Sequence, residues 1–81
     1  MKARVYVTMK TTVLDPQGQT VCRTLTSLGH KSISDVRQGK YFEILIAEGA
    51  SQDQVRTEVE QIAHDVLANP VIEDYRIEIV D

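Results

Sequence analysis

The spacing of apolar residues changes along the chain from a period of two to a period of three or four and back, and this order constrains the fold more than any other feature. Residues 3–10 alternate strictly, with Val5, Val7 and Met9 on one side. A period of two is typical of a strand with two different faces. The sequence therefore predicts a first strand over residues 3–10.

A helix is predicted after the stretch VLDPQG at residues 13–18. Asp15 and Pro16 suit the N-cap and the first position of a helix, although they also fit a type I turn. The apolar positions of this helix recur at spacings of four and three as Val21, Leu25 and Leu28. Gly29 follows Leu28, at the position where a left-handed C-cap residue is expected.

The second half of the chain repeats this pattern. A weak strand at residues 32–38 and a clearer strand at residues 40–47 are separated by a connection short enough for a hairpin. Ser51 and Gln54 then form a capping box at the start of a second helix. The apolar stripe of this helix consists of Val55, Val59, Ile62, Ala63, Val66 and Leu67.

Asn69-Pro70 ends the second helix, and residues 75–80 alternate again as a fourth strand. The order is β-α-β-β-α-β. Two split βαβ units with right-handed crossovers predict a ferredoxin-like α+β fold, in which a four-stranded antiparallel sheet carries two helices on one face. With 81 residues, the chain is expected to form a single domain over residues 1–81 and to bury only a thin core.

The uncovered face of that sheet is a candidate interface. It would carry Tyr6, Tyr41 and Leu45 among charged and polar residues. Scattered apolar residues occur on every protein surface, whereas three large ones on one sheet face also suit a partner-binding surface. A small domain is stabilised when it buries such a face against a second copy, so a homodimer or a higher homo-oligomer is predicted.

Asp15 and Gly18 are the other interface candidates. A turn or a helix cap explains both residues without any partner. In the functional interpretation, Gly18 has no side chain and would let another chain or an anion approach the helix amino terminus. The sequence favours the turn and leaves the interface as the alternative.

The net charge, the length of the apolar runs and the first ten residues argue against nucleic acid and membrane as partners. A net charge of −3 without clustered Lys and Arg argues against nucleic-acid binding. The aromatic strand QGKYFEILI is similar to an RNA-recognition strand, but Glu43 lies among the stacking positions. The apolar runs are too short to span a membrane, and MKARVYVTMK lacks the apolar block of a signal peptide. A cytoplasmic protein without membrane or nucleic-acid partners is therefore expected.

Chemistry-bearing residues are few and scattered. Cys22, His30 and His64 have no metal-ligand spacing, and Cys22 adjoins the apolar stripe as a small packed thiol. Glu73, Asp74 and Glu78 fit the role of keeping a sheet edge soluble. No catalytic, cofactor-binding or metal-binding residue is therefore predicted in this chain.

Three segments taken together resemble one family. They are VYVTMKTTVLDPQG at residues 5–18, DVRQGKYFEI at residues 35–44 and LANPVIEDYRIEI at residues 67–79. In this order and spacing they are similar to the PurS family, the small subunit of phosphoribosylformylglycinamidine (FGAM) synthase. The resemblance covers almost the whole chain.

The resemblance implies a subunit without its own active site, in an enzyme of de novo purine biosynthesis. A PurQ-type glutaminase subunit would release ammonia from glutamine. A PurL-type synthetase subunit would hold ATP and magnesium and amidate formylglycinamide ribonucleotide. The small subunit, as a dimer, would bridge the two.

Two other interpretations remain at this stage. One is a stand-alone regulatory domain of the same βαββαβ order that binds a small metabolite at a dimer interface. The other is an acylphosphatase-like enzyme, which would need an Arg near the start of an anion-binding loop. The first loop offers Lys10, Thr11 and Thr12 but no Arg.

Overall fold

The computed structural model describes residues 1–81 and contains three strands and two α-helices. A π-helical turn, Ala63–Leu67, continues the second helix. The five main elements are β1 (Lys2–Met9), α1 (Pro16–Ser27), β2 (Gly39–Leu45), α2 (Gln52–Ile62) and β3 (Glu73–Val80). The strands form one antiparallel sheet in the order β2-β1-β3. The predicted α+β class is confirmed.

The core lies between β1 and α2. Ala3, Val5 and Val7 are completely buried because β1 is the central strand and their side chains share the face that α2 covers. Val55 and Val59 of α2 pack against them. Only seven apolar residues are buried in the whole chain, so the predicted thin core is present.

The predicted helix ends are also present. The Asp15 carboxylate accepts a hydrogen bond from the Gly18 backbone N–H at 3.0 Å, and Pro16 is the first residue of α1. At the other end, Gly29 has a φ of +97°, and the His30 N–H donates to the Leu25 carbonyl oxygen at 3.0 Å. This is a Schellman ending, which requires the left-handed conformation that glycine adopts without strain.

The sheet has three strands, not the four that the sequence predicts. Residues 32–38 form no strand, and no hairpin forms between them and β2. Two backbone N–H groups of this segment donate to side-chain carboxylates. Asp35 accepts a hydrogen bond from Val36 N–H at 2.9 Å, and Asp15 accepts one from Gln38 N–H at 2.7 Å. Such side-chain bonds compete with a strand ladder, so the segment runs as irregular chain.

The predicted position of α1 beside α2 on the sheet is also wrong for a single copy of the chain. No residue of α1 belongs to the hydrophobic core, and its apolar residues Val21 and Leu28 are 41% and 70% exposed. The helix and the returning chain form a projecting arm, residues 16–38. The molecule is therefore 51 Å long, with a radius of gyration of 16.1 Å, where a compact domain of this length would have about 12 Å.

Candidate functional site

Tyr6 and Tyr41 form the centre of the open sheet face. They are directly opposite each other in the pairing of β1 with β2, so both side chains leave the sheet on the same side. Their ring centroids are 5.2 Å apart and the ring planes are tilted by 41°. The guanidinium carbon of Arg76, from the neighbouring β3, lies 4.2 Å from the Tyr6 ring centroid. One layer thus joins all three strands through an aromatic pair and a cation–π contact.

Two ion pairs flank this aromatic centre. Arg4 Nη1 donates a hydrogen bond to Glu78 Oε1 at 3.0 Å, and Lys2 Nζ lies 2.8 Å from Glu43 Oε1. The hydrogen bond to Glu78 raises the pKa of Arg4, and the hydrogen bond from Lys2 lowers the pKa of Glu43. These charges are paired within the chain, so a partner that covers the face would not leave them without a counter-charge.

Leu45 lies at the end of β2 on the same face, opposite Lys2. It is 80% exposed, and Tyr41 is 52% exposed. The structure therefore brings Tyr6, Tyr41 and Leu45 onto one face, as the alternation in the sequence predicts. We call this set of residues, together with Arg76, the tyrosine face.

Asp15 and Gly18 lie elsewhere, inside the base of the arm. Asp15 is 4% exposed, and its two carboxylate oxygens accept the backbone N–H groups of Gln38 and Gly18 at 2.7 and 3.0 Å. These hydrogen bonds, the one from Gln38 foremost, lower the pKa of Asp15. A Cβ on Gly18 would collide with the Val36 carbonyl oxygen and lie 2.5 Å from the Asp15 carboxylate. Both residues thus have a role within the chain, and their predicted role at an interface stays a prediction.

An apolar groove on the helix-covered side of the sheet was not foreseen from the sequence. It lies between the end of β2 and α2 and has a cavity volume of about 210 Å³. Ile44, Ile46, Val59 and Ile62 are among its lining residues, and Glu58 is the one polar residue that lines it. The sequence pattern predicts an apolar surface here, but it also predicts that α1 covers it.

The side chains that could ligate a metal ion do not gather in one place. No group of three or more His, Cys, Asp or Glu side chains is placed to hold a metal ion. Cys22 is half-buried in the arm. His64 is exposed, and its Nδ1 lies 2.9 Å from the Asp65 carboxylate in the π-helical turn. Neither helix is long and apolar enough to cross a bilayer.

Comparison with known proteins gives one consistent family. Residues 2–81 match the family model described as "PurS: Phosphoribosylformylglycinamidine (FGAM) synthase". The PurS subunit of phosphoribosylformylglycinamidine synthase from Mycobacterium leprae is 46% identical over 76 residues, which are 94% of this chain and 91% of that protein. The corresponding subunit from Bacillus subtilis is 44% identical over 78 residues, 96% of this chain and 90% of that protein.

Solved structures agree with this match. The structure of B. subtilis PurS superposes with a TM-score of 0.86 at 42% identity and covers 99% of this chain and 98% of that chain. PurS from Methanocaldococcus jannaschii, described as one of the subunits of formylglycinamide ribonucleotide amidotransferase in the purine biosynthetic pathway, has a TM-score of 0.82 at 36% identity, covering 99% of this chain and 98% of that chain. This chain belongs to the PurS family and is a subunit of FGAM synthase in purine biosynthesis.

Proposed function

We propose that this subunit has no active site of its own and bridges a PurQ-type glutaminase subunit and a PurL-type synthetase subunit. ATP and magnesium would be bound by the synthetase subunit. The assembled enzyme would carry out the glutamine-dependent amidation of formylglycinamide ribonucleotide in the cytoplasm. The chain itself would act as a homodimer or a higher homo-oligomer.

The tyrosine face is the observation that carries this proposal. Tyrosine and arginine are enriched at protein interfaces, where they supply large, rigid contact areas with polar ends. Tyr6, Tyr41 and Arg76 are already held in one layer, so little side-chain freedom would be lost on docking. A surface organised in this way suits the binding of a protein partner.

The arm and the groove add a second kind of exposed apolar surface. Most of the groove lies on the opposite side of the sheet from the tyrosine face, because neighbouring residues along a strand point to opposite sides, and Leu45 at the end of β2 borders both surfaces. Two separate surfaces are what a bridging subunit needs, since each can engage a different chain. Self-association on one side leaves the other side free for the large subunits.

The physical purpose of bridging is the transfer of ammonia. Ammonia released from glutamine at one subunit must reach a second subunit before it is protonated or diffuses away. Docking the two subunits shortens that path, whereas a high external ammonia concentration makes docking unnecessary. Omitting this chain should therefore greatly reduce glutamine-fed synthesis and reduce ammonia-fed synthesis much less.

The test is product formation by the synthetase and glutaminase subunits with either nitrogen donor, with and without this chain. A Tyr41→Ser variant of the chain should lose part of the glutamine-fed turnover, and the exposed Val66→Ser variant serves as its control. Equal loss of ammonia-fed and glutamine-fed turnover on omission of the chain would show that it helps to build the synthetase active site. The bridging role as stated would then be wrong.

A further inference from the structure

The outer edge of β3 carries unpaired backbone groups. β3 pairs only with β1 in the sheet. The Lys10 N–H donates to the Ile72 carbonyl oxygen at 2.9 Å in the same register, so the even-numbered residues of β3 direct their backbone groups to β1. The N–H and C=O groups of Tyr75, Ile77 and Ile79 therefore point away from the sheet, and no other backbone group of the chain bonds to them.

This edge lacks two of the features that commonly prevent a sheet edge from pairing. β3 has eight residues without a proline, and its pairing with β1 runs through the whole strand without a bulge. Charged residues also protect many edges, but those of β3 include both signs, with Arg76 between Asp74 and Glu78. An open strand of this kind is a template for the addition of another strand.

Apolar side chains at the same edge are incompletely covered. Tyr75, Ile77 and Ile79 pack against the hydrophobic core, and all three remain partly exposed. They lie on the helix-covered side of the sheet, since Ile77 is directly opposite the buried Val5 of β1. A strand added at the edge would place its own side chains beside them and extend their cover.

We propose that β3 of a second copy pairs antiparallel with this edge, so that two chains form one continuous six-stranded sheet. A twofold axis perpendicular to the sheet would relate the copies and would pass between Ile77 of one copy and Ile77 of the other. The proposal rests on the self-association stated under the proposed function and assigns a surface to it. An edge contact leaves both faces of the sheet open for the large subunits.

The charges of β3 select this register among those that the backbone allows. Only odd-numbered residues have outward backbone groups, so each must pair with an odd-numbered residue. With Ile77 on the twofold axis, Arg76 of each copy lies opposite Glu78 of the other. Moving the axis by one residue would put Arg76 opposite Arg76, or Glu78 opposite Glu78. Opposite charges across a strand pair stabilise it and like charges destabilise it, so the register centred on Ile77 is favoured.

One other register also pairs opposite charges, but it is shorter. With Tyr75 on the axis, Arg76 would lie opposite Asp74 of the other copy. Because β3 begins at Glu73, that register pairs only residues 73–77. The proposed register pairs residues 74–80, which are seven of the eight residues of the strand. It therefore forms more backbone hydrogen bonds.

Arg76 and Glu78 are placed to make the contact between copies. The Arg76 side chain is 67% exposed, and its guanidinium is 3.9 Å from the Glu78 carboxylate of its own chain, too far for a hydrogen bond. Glu78 is 41% exposed and accepts a hydrogen bond from Arg4 with one oxygen, Oε1. Its second oxygen can accept Arg76 of the other copy while the bond to Arg4 is kept.

Like charges approach each other only at the ends of this pairing. There, Glu73 lies opposite Asp81 of the other copy, just beyond the last residue of β3. Glu73 Oε2 is 3.5 Å from Lys40 Nζ, and Glu73 Oε1 accepts a hydrogen bond from the Asn69 N–H at 2.7 Å. The Glu73 charge is thus already offset within its own chain.

A charge-swap experiment on the full-length chain tests the register. One variant carries Arg76→Glu and the other carries Glu78→Arg. The controls are Arg56→Glu and Glu60→Arg, which make the same charge changes at exposed positions on α2. Circular dichroism checks that each variant is folded. Sedimentation equilibrium at low salt measures the dissociation constant of each variant alone and of the two β3 variants mixed in equal amounts.

Each β3 variant alone should dissociate about tenfold more readily than the wild-type chain, because like charges then meet twice across the twofold axis. In the mixture, every contact between positions 76 and 78 joins opposite charges, so a heterodimer of about wild-type affinity should form. Both α2 controls should associate like the wild type.

A disulfide cross-link gives a second measurement that does not depend on charge. In a Cys22→Ala background, Ile77→Cys would bring two thiols together across the axis, where paired Cα atoms are about 5.5 Å apart. Air oxidation should then give a covalent dimer on a non-reducing gel. Tyr75→Cys is the matched control, because the two copies of residue 75 would be about 13 Å apart along the strand and should not cross-link.

The outcomes separate this proposal from the one on which it rests. If the wild-type chain is a monomer at micromolar concentration, both the homo-oligomer and the edge pairing are wrong. If it associates, but the β3 variants associate equally well and Ile77→Cys gives no cross-link, self-association uses another surface and the edge pairing is wrong. Cross-linking of Tyr75→Cys in place of Ile77→Cys would contradict the register.

A different occupant of the edge would also be recognised. If the edge binds an extended segment of a large subunit, the β3 variants would need a higher concentration for half-maximal glutamine-fed turnover while their self-association stayed at the wild-type value. That result would overturn the pairing of two copies. The bridging role is decided independently by the comparison of nitrogen donors.

Discussion

The Asp15 carboxylate accepts a hydrogen bond of 2.7 Å from the backbone N–H of Gln38, 23 residues further along the chain. The same carboxylate caps α1 through Gly18. One side chain therefore ties the beginning of the arm to its end, just before β2 starts at Gly39. The stretch Asp15 to Gly18, which the sequence suggests is a simple turn, thus also holds the arm in its observed direction through the two hydrogen bonds of Asp15.

Asp15→Asn is expected to destabilise the arm and the fold. An amide keeps one acceptor oxygen but presents an NH₂ group where the second backbone N–H now donates. We expect the melting temperature to fall by about 5 °C, the scale for the loss of a helix N-cap in a domain of this size. Asp74→Asn, on the exposed part of β3, is the matched control and should change it little. Thermal melts followed by circular dichroism provide the measurement.

The pH dependence of stability should change with the same substitution. The pKa of Asp15 is lowered in the folded state, so the unfolded chain binds its proton first as the pH falls. The contribution of Asp15 is complete above its unfolded pKa, near 3.8, and is lost as the pH falls through the lower folded value. Urea unfolding between pH 3 and pH 6 should therefore show a smaller acid loss in Asp15→Asn than in the wild-type chain. Identical pH profiles would contradict the assigned role.

Gly18→Ala is expected to lower stability and self-association together. The added Cβ would meet the Val36 carbonyl oxygen of the returning chain, so the close neighbour that Gly18 admits belongs to its own arm. Gln19→Ala, one residue further along α1 and exposed, is the control. The comparison is between melting temperature and dimer dissociation constant. Weaker assembly with unchanged melting temperature would instead indicate that Gly18 contacts another chain.

Much of this fold is predictable because its signals are local. The alternation in β1, the Asp15-Pro16 start of α1, the glycine ending at Gly29 and the Ser51 cap of α2 each depend on a few neighbouring residues. The relative position of Tyr6 and Tyr41 also follows, once alternation sets which residues of each strand share a face. Each of these features depends on residues that lie within about ten positions of one another in the sequence.

The position of α1 could not be predicted in the same way. The spacing of Val21, Leu25 and Leu28 indicates an apolar face that needs cover, but periodicity is the same whether the cover comes from one chain or from two. The segment at residues 32–38 failed as a strand because Asp15 and Asp35 side chains bond its backbone. The contact of Arg76 with Tyr6 depends on the pairing of β1 with β3, which is nearly a whole chain length apart in sequence.

Cys22→Ala and His64→Ala should leave the turnover of the reconstituted enzyme within about threefold of the wild type, because neither residue is placed to perform chemistry. Cys22 is half-buried in the arm, and its loss should slightly lower stability. His64 is exposed beside Asp65 and should have a smaller effect. Steady-state assays with glutamine provide the measurement. A hundredfold loss of turnover in a folded variant would give that residue a chemical role.

Tyr41→Ser is expected to weaken assembly with the large subunits while leaving the fold intact. Tyr41 is 52% exposed and packs mainly on Tyr6, so its loss leaves no buried cavity. At the centre of an interface, however, the removal of a tyrosine ring commonly weakens binding by tenfold or more, on the order of 1–2 kcal/mol. The exposed Val66→Ser, on the π-helical turn, is the control for a general loss of apolar surface.

Titrating each variant into a fixed amount of the other two subunits, with glutamine as nitrogen donor, measures the concentration needed for half-maximal turnover. That concentration should rise about tenfold for Tyr41→Ser and stay constant for Val66→Ser, and the maximal turnover at saturation should be unchanged for both. An unchanged half-maximal concentration for Tyr41→Ser would show that the tyrosine face does not contact the large subunits, and the arm and groove would then be the surfaces to examine for that contact.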